Sequence, residues 1–247
     1  MIFDSHCHLE EGMPHDIDLV MNIGCDIKSS FESLEWTKKE DRIYGTVGIH
    51  PEFADEATPE NLAKIKALAT ENDKIKAIGE IGLDYHWDDN PPKEVQRKCF
   101  EDQIELAIEI GMPICIHSRD ADQETLDILK AHSAFSKTRV LMHCFSGSVE
   151  LAKEYIKLGA WISFAGPLTY KNNRKTVAVA EFVPVDKMLV ETDSPYLSPE
   201  PKRGKPNCPE NVIHTIQKIA DIKQLTFEEV ANHTFENGCT FYGIKNN

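Results

Sequence analysis

Residues 113–147 read PICIHSRDADQETLDILKAHSAFSKTRVLMHCFSG. A short apolar run, 113–116, stops at His117. A stretch with helical periodicity follows over 121–131, and a second apolar run, 140–142, stops at His143. Short apolar runs separated by a helical pattern are the mark of parallel strands joined by right-handed βαβ crossovers.

The same alternation extends in both directions. Strands are expected also at 1–4, 19–24, 43–48, 75–79, 161–163 and 188–190. Helices are expected at 29–40, 59–71, 93–110, 148–158, 174–182, 209–222 and 226–240. Along 93–110, Val95, Cys99, Ile104, Ala107 and Ile108 recur among charged residues, as in a helix with one apolar side. Eight strand-helix units at roughly 30-residue spacing close naturally into a (β/α)8 TIM barrel of about 250 residues, an α/β fold in which residues 1–247 form one domain. An open doubly wound sheet would call for a GxGxxG turn after the first strand, and none stands there.

The 247 residues are 41% hydrophobic and 28% charged, enough for one sizeable core. Seven cysteines form no CxxC pair and leave an odd one over, so neither a disulfide framework nor a zinc knuckle is expected, and a reducing cytoplasm is the expected location. Neither a signal peptide nor an apolar run of membrane-spanning length is read. The net charge of −14 opposes nonspecific duplex binding, yet it permits one phosphate held through bound cations.

The ends of the apolar runs carry the chemistry. Asp4-Ser5-His6-Cys7-His8 places two imidazoles on one side of the first strand by period-2 alternation, spaced to share a metal. Glu80 closes an apolar run between Gly79 and Gly82, where backbone or ligand must come near. A carboxylate there can bridge two cations. His117 and His143, at matching positions of consecutive strands, make a pair of nitrogens for a second metal. Asp193 ends the eighth strand, which a closed barrel sets beside the first. His50 reads equally as acid or base, substrate contact or ordinary strand-end histidine. Arg119 offers a forked donor to phosphate or a rim salt bridge. Lys171, Arg174, Lys175, Lys202, Arg203 and Lys205 gather positive charge in loops after the last two strands. Tyr85, Trp87, Tyr170 and Tyr196 are placed either to stack on bases or to pack those loops.

With these motifs in view, the chain resembles the TatD-type metal-dependent deoxyribonucleases, within the amidohydrolase-like barrels. The segments that carry the likeness are Asp4-Ser5-His6-Cys7-His8-Leu9, Gly79-Glu80-Ile81-Gly82-Leu83-Asp84-Tyr85, His117-Ser118-Arg119, His143-Cys144-Phe145-Ser146-Gly147 and Glu191-Thr192-Asp193-Ser194-Pro195-Tyr196-Leu197. The resemblance implies two divalent metal ions (Mg2+, Mn2+ or Zn2+) and 3′-5′ exonuclease-type hydrolysis of DNA, with single strands or 3′ ends as substrate. It implies neither a membrane nor an obligate protein partner. By position, His6, His8, Glu80 and Asp193 hold one metal and Glu80, His117 and His143 the other. Asp193, Glu80 and His50 are the catalytic residues, and Tyr85, Arg119, Ser194, Arg203 and Lys205 the substrate contacts. Cys208 and Glu210 depart from the family's pattern. The alternative is a metal-dependent ester or amide hydrolase, such as a deacylase of aminoacyl-tRNA. Barrels with a bridging carboxylated lysine would carry Lys where Glu80 stands, which favours the nuclease branch.

Overall fold

The computed structural model describes residues 1–245. Its strands are β1 (Phe3–Cys7), β2 (Leu19–Asn22), β3 (Ile43–Val47), β4 (Ile75–Asp84), β5 (Ile114–Arg119), β6 (Val140–Met142), β7 (Trp161–Phe164) and β8 (Met188–Val190). The helices are α1 (Ile27–Lys39), α2 (Pro59–Glu71), α3 (Lys93–Ile110), α4 (Asp122–Ala131), α5 (Ala134–Lys137), α6 (Val149–Lys157), α7 (Arg174–Phe182), α8 (Val212–Lys223) and α9 (Phe227–Tyr242). Two compact units divide the chain, one of residues 1–22 with 143 onward, the other of residues 23–142.

In the second unit β3, β4, β5 and β6 are parallel neighbours in chain order. The expected strand 75–79 runs on to Asp84, and 113–116 runs on to Arg119. Pairing explains both extensions: Ile81, Gly82, Leu83 and Asp84 stand opposite Ile116, His117, Ser118 and Arg119. Polar residues that read as loop are thus ladder residues, held by backbone hydrogen bonds that composition does not reveal. Helix α3 also differs from expectation. Its buried face is Gln96, Cys99, Phe100, Gln103, Ile104, Leu106 and Ala107, whereas Val95 and Ile108 are half-buried. The two glutamines act as clasps. Gln103 accepts from Ile49 N at 2.8 Å and donates to Ile49 O at 2.9 Å, and Gln96 does the same for the backbone of Asp84 at 2.9 Å each. A buried amide so used satisfies both of its halves and two backbone groups, at the last residue of β4 for Gln96 and just past β3 for Gln103.

In the first unit β1 pairs parallel with β2, and β7 with β8. The end of β8 is sewn to the end of β1: Asp193 N donates to His6 O at 2.9 Å, His8 N to Ser194 O at 2.8 Å, and Ser5 Oγ to Val190 O at 2.8 Å. Phe3 packs against Phe235 and Tyr242 of α9, and the Tyr242 hydroxyl donates to Ser5 O at 2.9 Å. A Thr226–Glu229 capping box starts α9. The helix expected at 209–222 is split into a 3-10 turn, Pro209–Asn211, and α8.

No helix among the described residues is long and apolar enough to cross a membrane. All seven cysteines are free thiols. Burial pushes the Cys99 thiol up to about 12. Because the thiolate is the reactive form, Cys99 is expected to escape iodoacetamide at pH 8 in the folded protein and to label fully once the chain is denatured. Mass spectrometry of the Cys99 peptide checks this.

Candidate metal centre

One donor cluster belongs to the first unit. His6 stands in β1, His8 just beyond it, His143 directly after β6, and Asp193 past β8. His6 Nε2 lies 3.6 Å and His8 Nε2 3.4 Å from Asp193 Oδ1. The His6 and His143 rings stack at 4.0 Å, within 8° of parallel. One ligand atom from each of His6, His143 and Asp193 falls within 4.8 Å of the others. Burial pushes the Asp193 carboxyl up, but a hydrogen bond from His8 and the charges of His6, His143 and His8 outweigh it and hold the group below the usual carboxylate value. Its φ of 55° lies in the left-handed region, which Asp tolerates better than most residues.

Behind these side chains lie two buried carboxylates, of which Glu191 contacts the His143 ring. Glu191, fully buried, sits 3.2 Å from His143 Nδ1 and accepts from Ser163 Oγ at 2.5 Å. Asp4 accepts from Thr192 N at 2.9 Å and Thr192 Oγ1 at 2.5 Å. Burial nevertheless raises the Asp4 carboxyl well above its ordinary value.

The second unit holds its own cluster. His117 Nδ1 lies 2.9 Å from Glu80 Oε1, and its Nε2 lies 3.0 Å from Asp84 Oδ2. His50 Nε2 is 3.7 Å from the same Glu80 oxygen, and its ring meets that of His117 edge-on at 4.4 Å. Ligand atoms of His50, Glu80 and His117 again lie within 4.8 Å of one another. Burial raises the Asp84 carboxyl, but the His117 hydrogen bond, the His86 N–H and the nearby charges leave it below normal. Period-2 alternation along β4 puts Glu80, Gly82 and Asp84 on one side. The glycine is required there: a Cβ on Gly82 would lie 1.9 Å from His117 O.

Imidazole and carboxylate oxygen are the donors that borderline divalent cations such as Zn2+ and Mn2+ prefer, and Mg2+ accepts them less readily. Both clusters fit such ions by donor chemistry, and both are largely buried, where uncompensated charge is costly.

Arg119 lies over the Trp87 ring at 5.2 Å, and Arg203 over the Tyr170 ring at 4.4 Å. Tyr170, Lys171, Asn173, Glu200 and Arg203 line a cavity of about 480 Å³. Lys205 is exposed. Tyr85 donates to Glu124 at 3.0 Å, with the Lys93 ammonium 4.2 Å from its ring. Ser194 departs from expectation. It is fully buried, and its hydroxyl faces Met13 Sδ at 3.6 Å. Asp84, Glu191 and Asp4 are buried carboxylates beside the clusters to which the sequence reading gave no role. Alternation could have flagged all three, since Asp4 is in step with His6 and His8, Asp84 with Glu80 and Glu191 with Asp193.

Residues 3–243 match the family described as TatD related DNase. A metal-dependent hydrolase of Bacillus subtilis (strain 168), YabD, is 40% identical, over 99% of this chain and 100% of its own. A solved TatD homolog from Escherichia coli K12, YjjV, superposes with a TM-score of 0.91 at 25% identity, covering 99% of this chain and 98% of the other. A hydrolase of the TatD family from Entamoeba histolytica gives a TM-score of 0.85 at 20% identity, over 98% and 97%. With strands and helices alternating in chain order, these likenesses establish the (β/α)8 barrel.

Proposed function

This chain belongs to the family of TatD related DNases, and we propose that it is a metal-dependent hydrolase that shortens DNA from 3′ ends, with single strands as its substrate. The observation that carries the reading is the convergence of histidines on Asp193 in one unit and on Glu80 in the other, each at the C-terminal ends of parallel strands. In a (β/α)8 barrel those ends form the catalytic face. In the first unit His6, His8, His143 and Asp193, and in the second Glu80 and His117, would hold the divalent ions. Bound there, such ions supply Lewis acidity, polarising a phosphoryl oxygen and acidifying a water.

The chain's own groups do the rest. Asp193 takes the proton of the attacking water at a carboxylate oxygen. Glu191 and Ser163 hold the His143 ring in place, which leaves its other nitrogen for the cation. His50 contacts a phosphate oxygen. Arg119, Arg203 and Lys205 draw the substrate in against the net negative charge of the molecule. Seven free thiols suit a reducing cytoplasm.

The test is a 5′-labelled single-stranded oligonucleotide incubated with Mg2+, Mn2+ or Zn2+. The expected product is a ladder receding from the 3′ end. Chelation should stop it and added metal restore it. Undiminished turnover in excess chelator overturns the reading, as does hydrolysis of acyl esters or aminoacyl-tRNA with no phosphodiester cleaved under any metal.

A further inference from the structure

Two arginine–aromatic pairs stand at or beyond strand ends, and they are not alike. Arg203, over Tyr170, also faces Glu200 at 4.0 Å. The Arg119 guanidinium makes no hydrogen bond and no ion pair among the described residues, although acidic residues outnumber basic ones 41 to 27. Its five N–H donors are presented unused over an indole that is itself 50% exposed.

The pair is held firmly. Tyr85 N donates to Arg119 O at 2.9 Å and His86 N to Asp84 Oδ1 at 2.9 Å, while Asn90 ties its side chain to Asp84 O at 3.2 Å and its N–H to Trp87 O at 3.3 Å. The His86 ring meets the indole edge-on at 4.7 Å and is anchored to Asp120 at 2.8 Å. Asp84, at the root of this loop, carries His117 on its other oxygen. Trp87 and Arg119 are therefore fixed relative to a residue of the candidate centre. A flat aromatic surface beside a planar cation with free donors matches an unpaired base next to a phosphate.

We infer that Trp87 and Arg119 form a nucleotide subsite, in which the indole stacks an unstacked base of the substrate strand and the Arg119 fork holds the phosphate attached to it. This rests on the nuclease reading and adds the requirement it places on the substrate: the base must be free of a duplex, so single strands are selected over paired ends.

Three substrates test it: a single-stranded oligonucleotide, the same strand with tetrahydrofuran abasic residues along its 3′ part, and a blunt duplex. The wild type is expected to favour the base-bearing strand over the abasic one by on the order of tenfold in kcat/KM. Trp87→Ala should collapse that ratio towards one and Trp87→Phe keep most of it. Arg119→Ala should lower kcat/KM on both strands, with only partial recovery in Arg119→Lys. In chelator, where nothing is cleaved, oligothymidylate should quench tryptophan fluorescence in the wild type, and Trp87→Phe should lose the quench although Trp36 and Trp161 remain. An unchanged ratio in Trp87→Ala together with an unchanged quench in Trp87→Phe removes the subsite while the nuclease reading stands. A wild type that cleaves no DNA under any metal removes both.

Discussion

Asp193→Asn is expected to lower kcat on single-stranded DNA by at least about 10³-fold while leaving the thermal midpoint within a few degrees. The replacement keeps the shape of the side chain, and Asn is one of the few residues that shares the tolerance of Asp for the left-handed backbone at φ 55°. The N–H of residue 193 still donates to His6 O, so the junction of β8 with β1 survives. What disappears is the charge on which His6 and His8 converge, at 3.6 and 3.4 Å. A neutral amide neither accepts the proton of a water nor matches a carboxylate as a ligand for a divalent ion. Steady-state kinetics, a circular-dichroism melt and metal content per chain together check the prediction. A variant with near wild-type kcat would strip Asp193 of its assigned role.

The second large effect falls on the fold. Gly82→Ala should leave little or no soluble protein, at a cost above about 4 kcal/mol against a total stability of roughly 5–15 kcal/mol. The residue has φ 148°, and the added Cβ would lie 1.9 Å from His117 O and 2.9 Å from its carbonyl carbon. Gly82 and His117 are register partners, so nothing short of separating β4 from β5 relieves the clash. That movement would carry away Glu80 and Asp84 on one strand and His117 on the other. Soluble yield and a melting curve beside the wild type decide it, and a normal midpoint for Gly82→Ala would contradict the packing described.

The glycines around Glu80 show how far the sequence could be read. That something must approach closely was legible. That the approaching group is the neighbouring strand, with His117 O against Gly82 and Cys115 Cβ against Gly79, was not. Runs that are apolar throughout, Val140–Met142 and Met188–Val190, were legible to the residue. Strands that run on through Glu80 to Asp84 and through His117 to Arg119 were read short, because polar residues in a ladder have the composition of a loop. The histidines stood out since ten of them can be inspected one by one. Among 41 acidic residues, Asp4, Asp84 and Glu191 look like solvated surface until burial and hydrogen bonding single them out. Ser194 adjoins Asp193 in sequence, but its full burial could not be read from that neighbourhood.

The seam between β1 and β8 has a consequence for the life of the polypeptide. Asp4 and Thr192, partners across that seam, are 188 positions apart. A ribosome emits the two leading histidines first and the carboxylate they embrace only towards the end of translation. Interrupted products thus carry the early donors without the late one, and no nascent form short of Asp193 holds the complete donor set.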